Sequence, residues 1–164
     1  MELSAHSINS KAPYKVSQST NLSFTFTTDN GNVYEVGFLL DEMLLPDGVY
    51  QFFIMENSGN PMTKDDKIMM TIVAIMEEFF LNRDVVLDYI CDTSDSKQSL
   101  RFRLFRKWFA NYHNNTIFTF RPLSIEYDSI SYYGAVILRK DHPMYDQFMI
   151  ELEAFEHELA DKLR

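Results

Sequence analysis

Cysteine is nearly absent: Cys91 is the only one in 164 residues. A single thiol excludes an internal disulfide and leaves any zinc site dependent on several His or carboxylate partners, so a reducing compartment is expected. Glycine and proline are also scarce, five of each, which leaves no room for a long low-complexity linker. Long hydrophobic runs are missing. The longest apolar stretch, Ile68 to Leu81, is broken by Thr71, Glu77 and Glu78, and no membrane span is expected. The opening residues, MELSAHSINSKAPYKV, have neither a basic n-region nor an apolar centre, so no signal peptide is expected either. Basic residues are outnumbered, 15 Lys and Arg against 24 Asp and Glu, for a net charge of −9. That balance argues against general binding to nucleic acid or anionic membranes, because phosphate-rich partners need a cationic surface. Together these absences predict a cytoplasmic protein.

Apolar residues make up 46% of the chain, with 14 Phe and 9 Tyr, enough for one packed domain over residues 13–164 behind a loose tail at 1–12. Tyr14 to Val16 reads as a short edge strand. Leu22, Phe24 and Phe26 alternate with Ser23, Thr25 and Thr27, the period of a half-buried strand over Leu22 to Thr28. Asp29-Asn30-Gly31 is a hairpin turn, and Val33 to Leu40 returns as the second strand. After a turn at Pro46-Asp47-Gly48, Val49 to Glu56 makes a third, and Asn57 to Pro61 is a polar loop. A helix is expected over Lys64 to Leu81, capped by Thr63 or Asp65. Val85 to Cys91 is a strand, and a second helix covers Lys97 to Tyr112. Thr116 to Tyr127 and Ser131 to Leu138 are strands joined at Asp128-Ser129, and Pro122 restricts the first of them to an edge or a bulge. The last helix runs from Pro143 to Leu163. The expected fold is therefore α+β, with a mainly antiparallel sheet in the order βββ-α-β-α-ββ-α and helices packed on the sheet.

The second helix departs from its own pattern. At about 100° per residue, Leu100, Phe102, Leu104, Phe105, Trp108, Phe109 and Tyr112 cover one broad side, and Arg101 falls among them. A guanidinium there must be paired or serve a ligand, because it keeps its charge and is costly to strand. Two readings stand. Asp92 or Asp95 pairs with Arg101 and braces strand to helix, or the strand end and the helix N-terminus receive an anion at Arg101. Arg103, Arg106 and Lys107 point to the other side. With Arg121 they form a candidate contact surface for an acidic protein patch or phosphates, against the plain alternative that they are only solvated.

Asp29, Asp66 and Asp92 offer a catalytic alternative. Three strands, a helix, a strand and a helix match the start of a ribonuclease H-like fold, where carboxylates at strand ends hold divalent cations for phosphodiester hydrolysis. Each has a local explanation as well: a hairpin turn, an early-helix acid, a cap or an Arg101 partner. His6, His113, His142 and His157 show no metal-ligand spacing, and no phosphate loop, nucleophile elbow or CxxC pair is present. No metal or cofactor is expected. Cys91 reads as a small buried hydrophobe. The acidic last helix has a narrow apolar stripe, suited to covering the sheet or to pairing with a second copy.

The run Tyr89-Ile90-Cys91-Asp92-Thr93-Ser94-Asp95, followed by Gln98, Arg101, Arg103-Leu104-Phe105 and Trp108-Phe109, resembles an uncharacterised bacterial family, a domain of unknown function met in Bacteroidota genomes. Phe26-Thr27-Thr28-Asp29-Asn30-Gly31 with Tyr34, and Ile137-Leu138-Arg139-Lys140-Asp141, look like its other landmarks. The resemblance covers most of the chain and departs at Ser96, where the family pattern would have a glycine. It implies a bacterial cytoplasmic protein and supplies no activity. The leading expectation is a non-enzymatic interaction module whose partner is another protein, with an antitoxin, immunity or phage-conflict role by analogy. A metal-dependent nuclease or phosphodiesterase and a small-anion binder at Arg101 are the alternatives.

Overall fold

The computed structural model describes all residues except 42–47, 61–63, 95, 112–115 and 163–164. Asp95, Thr63, Tyr112, His113, Leu163, the Pro46-Asp47 part of the third turn and the Pro61 end of the polar loop thus lie outside the described residues. The elements are α1 (Ala5–Asn9), β1 (Ser17–Thr20), β2 (Ser23–Thr27), β3 (Val33–Leu40), β4 (Val49–Glu56), α2 (Asp66–Phe79), β5 (Val86–Ile90), α3 (Gln98–Asn111), β6 (Phe118–Tyr127), β7 (Ile130–Arg139) and α4 (Tyr145–Lys162). Seven strands hydrogen-bond in the order β1-β2-β3-β4-β5-β7-β6. β4 and β5 pair in parallel, which the long connection carrying α2 allows, while β1–β2, β2–β3, β5–β7 and β6–β7 are antiparallel. The fold is α+β, as expected.

The chain divides into two compact units, Met1–Leu39 with Phe52–Asn82, and Leu40–Gln51 with Arg83–Arg164. The division falls within β4, whose two ends serve different cores, Val49 with α4 and Phe52 with Phe38. The first unit is organised by aromatic stacking. Tyr14 lies on Phe26 at 5.8 Å, Phe26 on Tyr34 at 5.4 Å, and Phe38 on Phe79 at 4.0 Å between ring centres. The β2–β3 hairpin closes through a three-residue loop. Thr28 N–H donates to the Asn32 carbonyl, Gly31 N–H donates to the Thr28 carbonyl, and Gly31 adopts φ +81°, the left-handed position such loops give to glycine. Asp65 caps α2 by accepting from Lys67 N–H at 2.9 Å.

Residues 1–12, expected as a loose tail, are ordered. Ser4 caps α1, Leu3 and Ile8 are buried, and Ser7 Oγ donates to Glu78 at 2.6 Å. Lys11 pairs with Glu77 at 3.0 Å. Five residues of helix do not hold themselves together; these tertiary contacts do. The expected edge strand at Tyr14 to Val16 is displaced to Ser17–Thr20, because Tyr14 and Val16 are buried in the core instead.

In the second unit the first residues of β4, with β5, β7 and β6, form the sheet that carries both long helices. β6 is the terminal strand, so Pro122, opposite Ala135, removes no bond the sheet needs. Asp128 and Ser129 turn β6 into β7 with φ +50° and +64°, a primed hairpin turn made without glycine. Val49, Val86, Val136, Leu138, Phe148 and Leu152 form the core between the sheet and α4. Leu87, Tyr89, Ala135, Ile137 and Phe120, which alternate with them, face α3. The two helices therefore cover opposite faces of one sheet.

Candidate functional site

β5 ends at a tightly bonded polar turn. The Asp92 carboxylate accepts from Ser94 N–H at 2.9 Å and from Ser94 Oγ at 2.7 Å, a local Asx arrangement of the kind that aspartate favours at turns. Ser96 then adopts φ +59°. That is the position where the family resemblance called for glycine, and the left-handed backbone is the reason a glycine suits it. α3 starts two residues later.

Arg101 works as a brace. Its Nη1 donates to the Asp92 carbonyl oxygen at 3.1 Å, tying the second turn of α3 to the strand exit. Nearby, burial raises the Tyr89 phenol pKa, and the adjoining Cys91 raises it further. Burial likewise raises the Cys91 thiol, offset in part by the Tyr89 hydrogen bond and the Arg101 charge. A buried thiol held protonated is no nucleophile, in keeping with the expected apolar role of Cys91.

The inner side of α3 is aromatic. Phe105 lies 4.2 Å from Tyr89 between ring centres, Phe102 5.5 Å from Tyr133, and Phe109 4.9 Å from Phe120. Gln98 Nε2 donates to the Ser131 carbonyl at 3.1 Å. Leu100 and Leu104 were expected on this side, and the structure corrects that: they are 53% and 45% exposed. The Ser131 carbonyl of β7 and the Asp92 carbonyl beyond β5 take donors from Gln98 and Arg101, and in this rotation of the helix the two leucines are outward. They share the outer side with exposed Arg103, Arg106 and Lys107, none of which has an ion pair among the described residues.

Of the other predicted residues, Asp29 and Asp66 belong to the first unit, and Arg121 and Asp92 to the second. Arg121 is on the α4 side of the sheet, where Nη2 and Nε bond both Glu156 oxygens at 2.7 and 3.3 Å. Asp29 pairs with Lys67 at 2.6 Å, and that ammonium holds its carboxyl below the usual range. Asp66 is the first residue of α2, and Asp92 serves the Ser94 turn. Among the described residues no group of three or more His, Cys, Asp or Glu side chains is arranged to hold a metal.

One chemically distinctive group was not singled out from the sequence. Asp88, in the middle of β5, is 7% exposed, and its Oδ1 has no hydrogen-bond partner among the described residues. Burial, aided by the charge of Asp41, pushes its pKa up to about 6, so the carboxyl takes up a proton in mildly acidic solution. The signal was a lone acid inside Val85-Val86-Leu87-Asp88-Tyr89-Ile90, in step with apolar neighbours facing the α4 core.

Among the described residues no helix is long and apolar enough to cross a membrane. Residues 64–157 match a family described as a family of unknown function, DUF6169. No curated protein and no solved structure matches the chain. The match spans more than half of the sequence, and the chain belongs to that family.

Proposed function

We propose that the chain is a non-enzymatic interaction module of a bacterial cytoplasmic protein, and that the outer side of α3 is its contact surface for another protein. The observation that carries this reading is the exposure of Leu100 and Leu104 among Arg103, Arg106 and Lys107. Apolar side chains ringed by guanidinium groups suit an acidic, amphipathic partner: the leucines exclude water while the arginines fix orientation by forked hydrogen bonds. Arginine is among the residues enriched at protein interfaces, whereas isolated solvated charges need no leucines between them. An antitoxin, immunity or phage-conflict setting fits a small acidic protein by analogy alone.

Capture of partners from the native host with wild-type and R103E/R106E protein tests the reading. Loss of a specific partner by the reversed variant, with its melting temperature unchanged, is the expected result. Retention of every partner removes this surface from the account.

A further inference from the structure

The outer side of α3 has a counterpart on the same unit. Along α4 the exposed positions include Asp146, Ile150, Glu153 and Asp161, so an apolar residue, 68% exposed, sits among carboxylates. α3 presents the converse, Leu100 and Leu104 among Arg103, Arg106 and Lys107. From Lys97 to Arg121 the chain has six basic residues and no acidic one, within a net charge of −9. An acidic molecule approaching this protein is repelled over most of its surface and attracted at α3. A second copy of the chain is such a molecule.

We infer that the α3 outer face receives the α4 outer face of a second copy, a contact that rests on the reading of α3 as an interaction surface. Ile150 of one copy meets Leu100 and Leu104 of the next, with carboxylates and guanidinium groups paired around them. Both helices belong to the same unit and cover opposite faces of its sheet, so the two surfaces point away from each other. A two-fold dimer therefore cannot satisfy both contacts at once; the association is head-to-tail and does not close at two copies. One helix laid on one helix falls at the small end of specific interfaces, so the contact is weak and depends on concentration.

Sedimentation velocity of the full chain tests this, with circular dichroism confirming that each variant is folded. The wild-type sedimentation coefficient should rise continuously with concentration. R103E/R106E alone and E153K/D161K alone should each stay monomeric. Mixed in equal amounts they should associate again, because the first variant brings an intact acidic α4 face to the intact basic α3 face of the second, and the two reversed faces are also opposite in charge. A wild type that stays monomeric, with no association in the mixture, overturns the inference, as do single variants that associate like the wild type. The host capture experiment separates the two ideas. Should the chain stay monomeric while R103E/R106E still loses a captured partner, α3 remains a contact surface and only the second copy falls; if capture is also unchanged, both fall.

Discussion

α3 and α4 lie on opposite faces of the same strands, yet they are fastened and exposed in different ways. α4 is held by a largely aliphatic core around Phe148 and by an ion pair from β6, Arg121 with Glu156, and it turns carboxylates to solvent. α3 is held by aromatic rings and by two polar donors, Gln98 and Arg101, that reach the carbonyls of Ser131 in β7 and of Asp92 beyond β5, and it turns arginines and leucines to solvent. The rings of Phe102, Phe105 and Phe109 and the two polar donors together fix the rotation of α3. Two leucines are left outside as a result. The brace and the exposed patch thus lie on different sides of α3, and the two features separate under mutation.

The largest separation is between the two sides of α3. Phe105→Ala, which empties a buried ring site, should cost about 3–5 kcal/mol, whereas Leu104→Ala should stay within about 0.5 kcal/mol; denaturant titration of both variants measures the gap. Equal costs would mean that the helix is rotated from the orientation described.

The next effect concerns Asp88, on the α4 side of the sheet. Its folded pKa of about 6 lies above the ordinary value of 3.8. Between these values the unfolded chain gives up a proton that the folded chain keeps, so stability falls as pH rises through that window, by up to about 2–3 kcal/mol once above it. Asp88→Asn should therefore raise the melting temperature at pH 8 and leave it nearly unchanged below pH 4. A stabilisation of the same size at both pH values would show that charge is not the cause.

Smaller still is the brace. Arg101→Met should cost about 1–2 kcal/mol by removing the bond to the Asp92 carbonyl, against no more than about 0.5 kcal/mol for Arg103→Met. The smallest effect is at Ser96, where glycine relieves the left-handed backbone at some cost in unfolded-chain entropy: Ser96→Gly should stabilise by about 1 kcal/mol or less. Thermal unfolding distinguishes these, and a destabilised Ser96→Gly variant would contradict the turn geometry.

Features fixed by neighbours in sequence were readable from the sequence. The Asp29-Asn30-Gly31 loop, the Asp65 cap, the Asp128-Ser129 turn and the terminal strand carrying Pro122 all follow from the residues at those positions. Features fixed across long separations were not. α1 depends on Glu78, 71 residues beyond Ser7; the rotation of α3 depends on a carbonyl at Ser131; and Arg121 is engaged by Glu156, 35 residues on. The division of β4 between two cores also leaves no mark in its alternation. The candidate site was half visible: the segment and the distinctiveness of Arg101 were apparent, but the outward leucines, which now carry the reading, were assigned to the core.

Arginine-selective chemical labelling with mass-spectrometric readout tests most directly the division of α3 into brace and surface. In dilute protein Arg103 and Arg106 should label fastest, with Arg101 and Arg121 slower; at high protein concentration, or with a captured partner, Arg103 and Arg106 should become protected while Arg101 is unchanged. Arg101 labelling as fast as Arg103, or no protection of Arg103 and Arg106 under any of these conditions, would contradict the account.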